Sequence, residues 1–128
     1  MLSILKKPLL PAIAWLTITT ILLVLPGSSF PQEDWLSKIW FDKWVHIGLF
    51  AVMTFLWGRM VRNNNSNISI KRKWILYVAV AVLLYGIGME FIQKYFVPNR
   101  SFDNGDIAAD AAGSFLGFLL YNRMYIKK

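Results

Sequence analysis

Glu90-Phe91-Ile92-Gln93, then Pro98-Asn99-Arg100-Ser101-Phe102-Asp103-Asn104-Gly105-Asp106, then Asp110, Gly113 and Gly117, form a polar junction between two long apolar runs. The junction holds four of the chain's seven acids. Each flanking run has the length and composition to sit in lipid. A carboxylate beside hydrocarbon is costly and stays only where it is paired, wetted or used. Glu90, Arg100, Asp103, Asp106 and Asp110 are five ionisable groups at one such boundary. They make it the first candidate for a functional site.

The rest of the chain calls for the same solvent. Of its 128 residues, 56% are hydrophobic and 16% charged, and the mean hydropathy is +0.46. A soluble domain is about 45–50% apolar and about 25% charged. Here the apolar residues come in blocks, and the blocks predict spans at about 9–25, 44–60, 74–97 and 107–125. The expected fold is therefore an all-α membrane protein, with four transmembrane helices packed as a small bundle in a single domain, residues 1–128. Lys6-Lys7 ahead of the first run would suit a signal peptide. That run is long for one, and Pro26-Gly27-Ser28-Ser29 is a poor cleavage site, so a retained first helix is expected. Trp35, Trp40, Phe41 and Trp44 read as interfacial anchors. Asn63-Asn64-Asn65-Ser66-Asn67 reads as a flexible loop. Cysteine is absent, which excludes disulfides and thiolate metal sites.

Charge sets the orientation. Lys6, Lys7, Arg59, Arg62, Lys71, Arg72, Lys73, Arg123, Lys127 and Lys128 fall on one side of the four spans, with no acid among them. All seven acids fall on the other. The positive-inside rule puts both termini and the middle loop in the cytoplasm. The net charge of +7 does not point to nucleic acid, because the basic residues flank apolar spans and form no patch on a soluble face.

Three spans each bring a polar pair to the acidic side. Asp42 and His46, spaced i, i+4, share a face of the second. Glu90 and Gln93 do so on the third, and Asp106 and Asp110 on the fourth. Below Asp110 follow Gly113 and Gly117, a small-x-x-x-small seam that lets another helix approach closely. Gly86 and Gly88 are the candidate packing partners. Plainer readings stand beside these. Asp103 or Asn104 can cap the fourth helix, and Asp106 fits its first turn. Asp110 lies too deep to cap. His46 can bond a backbone carbonyl or pair with Asp42. Arg100 can anchor a headgroup, but the carboxylates around it make it their expected counter-charge, with Glu90 or Asp106 as the sharpest pair. Lys43 and Lys94 are expected to snorkel. His46 and the acids could hold a divalent cation, yet no H-E-x-x-H or D-x-D motif is present and no cofactor is expected.

Together these residues resemble the VanZ-like family of small bacterial membrane proteins. The matching pieces are Asp42-Lys43-x-x-His46-x-x-x-Phe50, Glu90-x-x-Gln93, Arg100-Ser101-Phe102-Asp103-x-x-Asp106 and Gly113-x-x-x-Gly117. Asp110 departs from the family, which usually has Asn there. The resemblance implies a protein of the bacterial cytoplasmic membrane, in a family named for low-level resistance to the glycopeptide teicoplanin.

The leading expectation is a multi-pass envelope protein that binds or shields an envelope lipid or lipid-linked cell-wall precursor, lowering glycopeptide sensitivity. A second is a membrane-embedded enzyme with Asp42-His46 as general base and Glu90 as acid, though no catalytic motif signs it. A third is a structural subunit whose polar cluster only locks helix packing.

Overall fold

A computed structural model of the chain describes residues 9–26, 35, 39–62, 67–98, 100 and 102–126. Residues 63–66 of the loop expected at 63–67, the basic pairs at the two ends and most of the segment 28–41 lie outside the described residues.

Among the described residues the regular structure is all helical, with no strand. Helix α1 spans Leu9–Val24, α2 Phe41–Val61, α3 Ile68–Phe96 and α4 Asn104–Tyr121, and a π-helical turn, Asn122–Ile126, follows α4 directly. Helices α2 and α3 are long and apolar enough to cross a membrane, and α1 is a shorter apolar helix. At 1.5 Å per residue, the 21 residues of α2 reach about 30 Å, one hydrocarbon thickness.

The helix ends follow local chemistry. Helix α3 begins at Ile68, before the apolar run expected from residue 74, because the Asn67 side chain accepts a hydrogen bond from the Ile70 N–H at 2.9 Å. It ends at Phe96, ahead of Pro98. Helix α4 is capped by Asp103, whose Oδ1 accepts from the Gly105 N–H at 2.7 Å. Helix α2 has no side-chain cap. Trp40 precedes it in the left-handed region, φ 56°, an uncommon conformation for a residue with a Cβ.

The helices pack as a bundle in which α4 lies chiefly against α2. The seam explains the choice. A Cβ on Gly113 would run into the carbonyl oxygen of Ile47, and one on Gly117 into that of Ala51. Both obstacles are backbone and cannot move aside. The expected partners on α3 divide. Gly86 is close to Asp110 and Phe50, whereas Gly88 faces open space. The seam therefore serves α2, not α3. Between the two glycines, Ser114 Oγ donates to the Ala79 carbonyl at 2.8 Å and accepts from Thr54 Oγ1 at 3.1 Å, which ties α2, α3 and α4 together. Phe50, Met53 and Ile75 fill the core around this tie.

Helix α1 is held by polar ties as well as packing. Trp15 Nε1 donates to the Leu49 carbonyl at 2.9 Å, and the Thr20 and Tyr85 hydroxyls meet at 2.6 Å. Gln93 Nε2 donates to the Leu23 carbonyl at 2.8 Å. The carbonyls at a helix end lack intrahelical partners, so the last of these bonds also satisfies the end of α1.

Candidate functional site

The C-terminal ends of α1 and α3 and the N-terminal ends of α2 and α4 meet at one end of the bundle. The polar groups there form two layers, one buried and one at the rim.

The buried layer is His46 of α2, Glu90 of α3 and Asp110 of α4. They are 4%, 1% and 1% exposed, and one ligand-capable atom from each lies within 4.8 Å of the others. His46 Nδ1 is 2.7 Å from Asp110 Oδ1. An ionised Asp110 accepts the proton on that nitrogen, which leaves Nε2 on the side of Asp106, 3.8 Å from its Oδ2. The His46 ring stacks on Phe50, whose centroid is 6.2 Å away. Gly86 gives the layer room, because a side chain there would displace both Phe50 and the Asp110 carboxylate. Glu90 Oε2 accepts the Asp103 backbone N–H at 3.2 Å, which fixes the loop into α4 above it.

The rim layer is Asp42, Asp103 and Asp106 around one ammonium. Lys43 Nζ bonds all three carboxylates, at 2.9 Å, 2.5 Å and 2.6 Å respectively. An ammonium has three N–H donors, and here each has a carboxylate. Lys43 reaches them across Gly105, where an added Cβ would fall 2.8 Å from Lys43 Cε. Asp103 serves twice, capping α4 through Oδ1 and meeting Lys43 through Oδ2. The Lys43 hydrogen bond is the main reason its carboxyl is held below the usual aspartate value.

Several expectations change here. His46 takes its partner from another helix, Asp110, while Asp42 stays exposed at the rim beside Lys43. The i, i+4 spacing put Asp42 on the right face, but Asp110 reaches the ring across the α2–α4 seam. Arg100 does not join Glu90 or Asp106 in an ion pair among the described residues. Its Nε donates to the Leu25 carbonyl and its Nη2 to the Leu22 carbonyl, both at 3.2 Å, so it closes the end of α1. Gln93, one turn nearer the end of α3 than Glu90, is buried against that same helix end. Lys43, expected to snorkel, is the cation that the aspartates hold. Its signal in the sequence was its place beside Asp42, one turn before His46. Gly105 was also missed, since its role is set by a side chain more than sixty residues away in the chain.

The arrangement offers one imidazole and carboxylate oxygens from buried residues, roofed by a lysine-bound acidic ring. It can hold a cation, exchange a proton, or meet a polar headgroup. A helical bundle in which two helices are apolar enough to cross a membrane, with such a cluster at one end, fits a membrane protein. The chain belongs to the VanZ/LLP1 family, whose family model matches residues 10–125. No curated protein and no solved structure matches it.

Proposed function

We propose that the protein is a multi-pass protein of the bacterial cytoplasmic membrane that binds an envelope lipid or lipid-linked cell-wall precursor at its buried polar layer. In this reading α1 to α4 all span, the termini and the loop at 63–66 are cytoplasmic, and the layered site opens to the outer face. The charge partition supports the orientation, and the polar ties of α1 to α2 and α3 support its retention as a span.

The observation that carries the reading is the buried set His46, Glu90 and Asp110. The rim aspartates already have Lys43. Within the buried set two carboxylates face one imidazole, and Glu90 has the Asp103 N–H besides. Buried carboxylates need compensation, and a divalent cation supplies it. One imidazole with carboxylate oxygens suits a zinc- or manganese-type ion rather than an all-oxygen calcium site. His46, Glu90 and Asp110 would hold that ion, which would attract the phosphate groups of a lipid to an otherwise acidic site. Lipid held there would be shielded from a glycopeptide.

The test is teicoplanin sensitivity of a susceptible bacterium expressing the chain. Reduced sensitivity with the wild type, lost with Glu90→Gln at equal membrane abundance, is the expected result. Unchanged sensitivity in all strains would remove the shielding role. A second reading, a membrane-embedded enzyme, draws on the His46–Asp110 hydrogen bond, since a carboxylate-oriented imidazole beside a second carboxylate can act in acid–base catalysis. Product formation from a lipid substrate, absent with Glu90→Gln, would favour it.

A further inference from the structure

The bundle carries a second feature at the end away from the acids. A groove of about 940 Å³ runs between the start of α3 and the end of α4. Its apolar floor is Leu76, Phe118 and Leu119, and its rim is Arg72, Lys73 and Arg123. The two helices build it in the same way. Arg72 lies four residues before Leu76 on α3, and Arg123 lies four residues after Leu119 on α4 and its π-helical turn. Each cation is therefore one turn, about 5.4 Å, nearer the end of the bundle than its leucine. Arg123 lies on the π-helical turn that continues α4.

Charge selects the occupant. Among the described residues, neither Arg72, Lys73 nor Arg123 makes an ion pair, and no acid of the chain falls on this side of the spans. Cations beside an apolar lining complement a molecule with an anionic head and a hydrocarbon tail. We infer that this groove binds an anionic phospholipid of the surrounding membrane, its phosphate among Arg72, Lys73 and Arg123 and an acyl chain along Leu76, Phe118 and Leu119. Basic pockets between membrane helices on the cytoplasmic side bind such headgroups for this reason. The inference rests on the membrane reading but not on the carboxylate layer, which lies at the opposite end.

Native mass spectrometry of the full chain, extracted from the membrane fraction in a neutral detergent, tests it. The probes are phosphatidylglycerol and phosphatidylcholine of identical chains. Phosphatidylglycerol is expected to be retained at least tenfold better. Each basic side chain near a membrane surface is worth roughly fivefold in binding, so Arg72→Gln/Lys73→Gln/Arg123→Gln should lose on the order of a hundredfold. Lys71→Gln removes a neighbouring charge outside the groove and should leave retention within about twofold. Circular dichroism checks that the variants keep their helices. If the triple variant does not, the single Arg123→Gln, on an exposed side chain, carries the test with a loss of about fivefold. Equal retention of the two lipids, or equal losses from Lys71→Gln and Arg123→Gln, would overturn the groove as a site. Recovery of the chain in the soluble fraction would instead overturn the membrane reading.

Discussion

Lys43 and Arg100 show how two cations near one acidic cluster take different work. Lys43 Nζ bonds Asp42, Asp103 and Asp106, so removing it leaves carboxylates facing each other at the rim. Lys43→Gln is expected to cost about 1–3 kcal/mol, measured as denaturant or thermal stability in detergent. Arg100→Ala should instead loosen the end of α1, with its fastest hydrogen exchange at the last turn of that helix. Similar exchange patterns in the two variants would contradict the division. Acid titration follows from the same bond. The Asp103 carboxyl is held below its ordinary 3.8, chiefly by Lys43. A depressed carboxylate adds stability that is present above the unfolded value and is lost as pH falls through the lower folded one. Thermal melts from pH 6 towards pH 3 should therefore fall less steeply in Lys43→Gln than in the wild type. At this scale the sequence named most of the site but mispaired it. Spacing along one helix suggested Asp42 for His46, and proximity in the chain suggested Arg100 for the acids. Both partners are set by which helix lies across the gap, and local spacing does not encode that.

The elements are organised by the seam on α4. Gly113 and Gly117 were legible as a close-approach surface, because small residues four apart need no tertiary information to be recognised. What they approach was not legible. Gly86 and Gly88 on α3 were the visible candidates, yet the seam rests on the Ile47 and Ala51 carbonyls of α2. A backbone carbonyl has no signature in the sequence. Gly117→Leu should therefore be severe, at least about 3 kcal/mol or loss of folded protein, since backbone cannot yield to a side chain. Phe115→Leu, on the exposed face of the same helix, should change stability by less than about 0.5 kcal/mol. Expression level and thermal stability measure both, and equal tolerance would mean that α2 and α4 do not meet at the glycines. The seam also sets the site, because it brings Asp110 to His46 and Asp106 to Lys43. Gly117→Leu should disturb the cluster two turns away without touching any of its residues.

At the scale of the whole molecule, the charges and the helices sort the same way. Asp42, Glu90, Asp103, Asp106, Asp110 and the four converging helix ends lie at one end, and the basic groove lies at the other. The all-helical architecture was legible because blocks of apolar residues need only length and composition to be read. The membrane orientation predicts opposite exposure for two loop positions. In a chain without cysteine, Asn99→Cys should label with an impermeant maleimide on intact cells, and Ser66→Cys should label only after lysis. The reverse pattern would invert the topology. If His46, Glu90 and Asp110 form a lipid-binding site, they do more than lock the bundle. Mass spectrometry of the lipids retained by purified wild-type and Glu90→Gln protein tests it most directly, at matched helix content and membrane abundance. At least one phosphate-bearing envelope lipid should be held by the wild type and depleted about tenfold or more in the variant, a difference of about 1.4 kcal/mol. The same lipids in the same amounts on both proteins would contradict it and leave the buried layer a packing device.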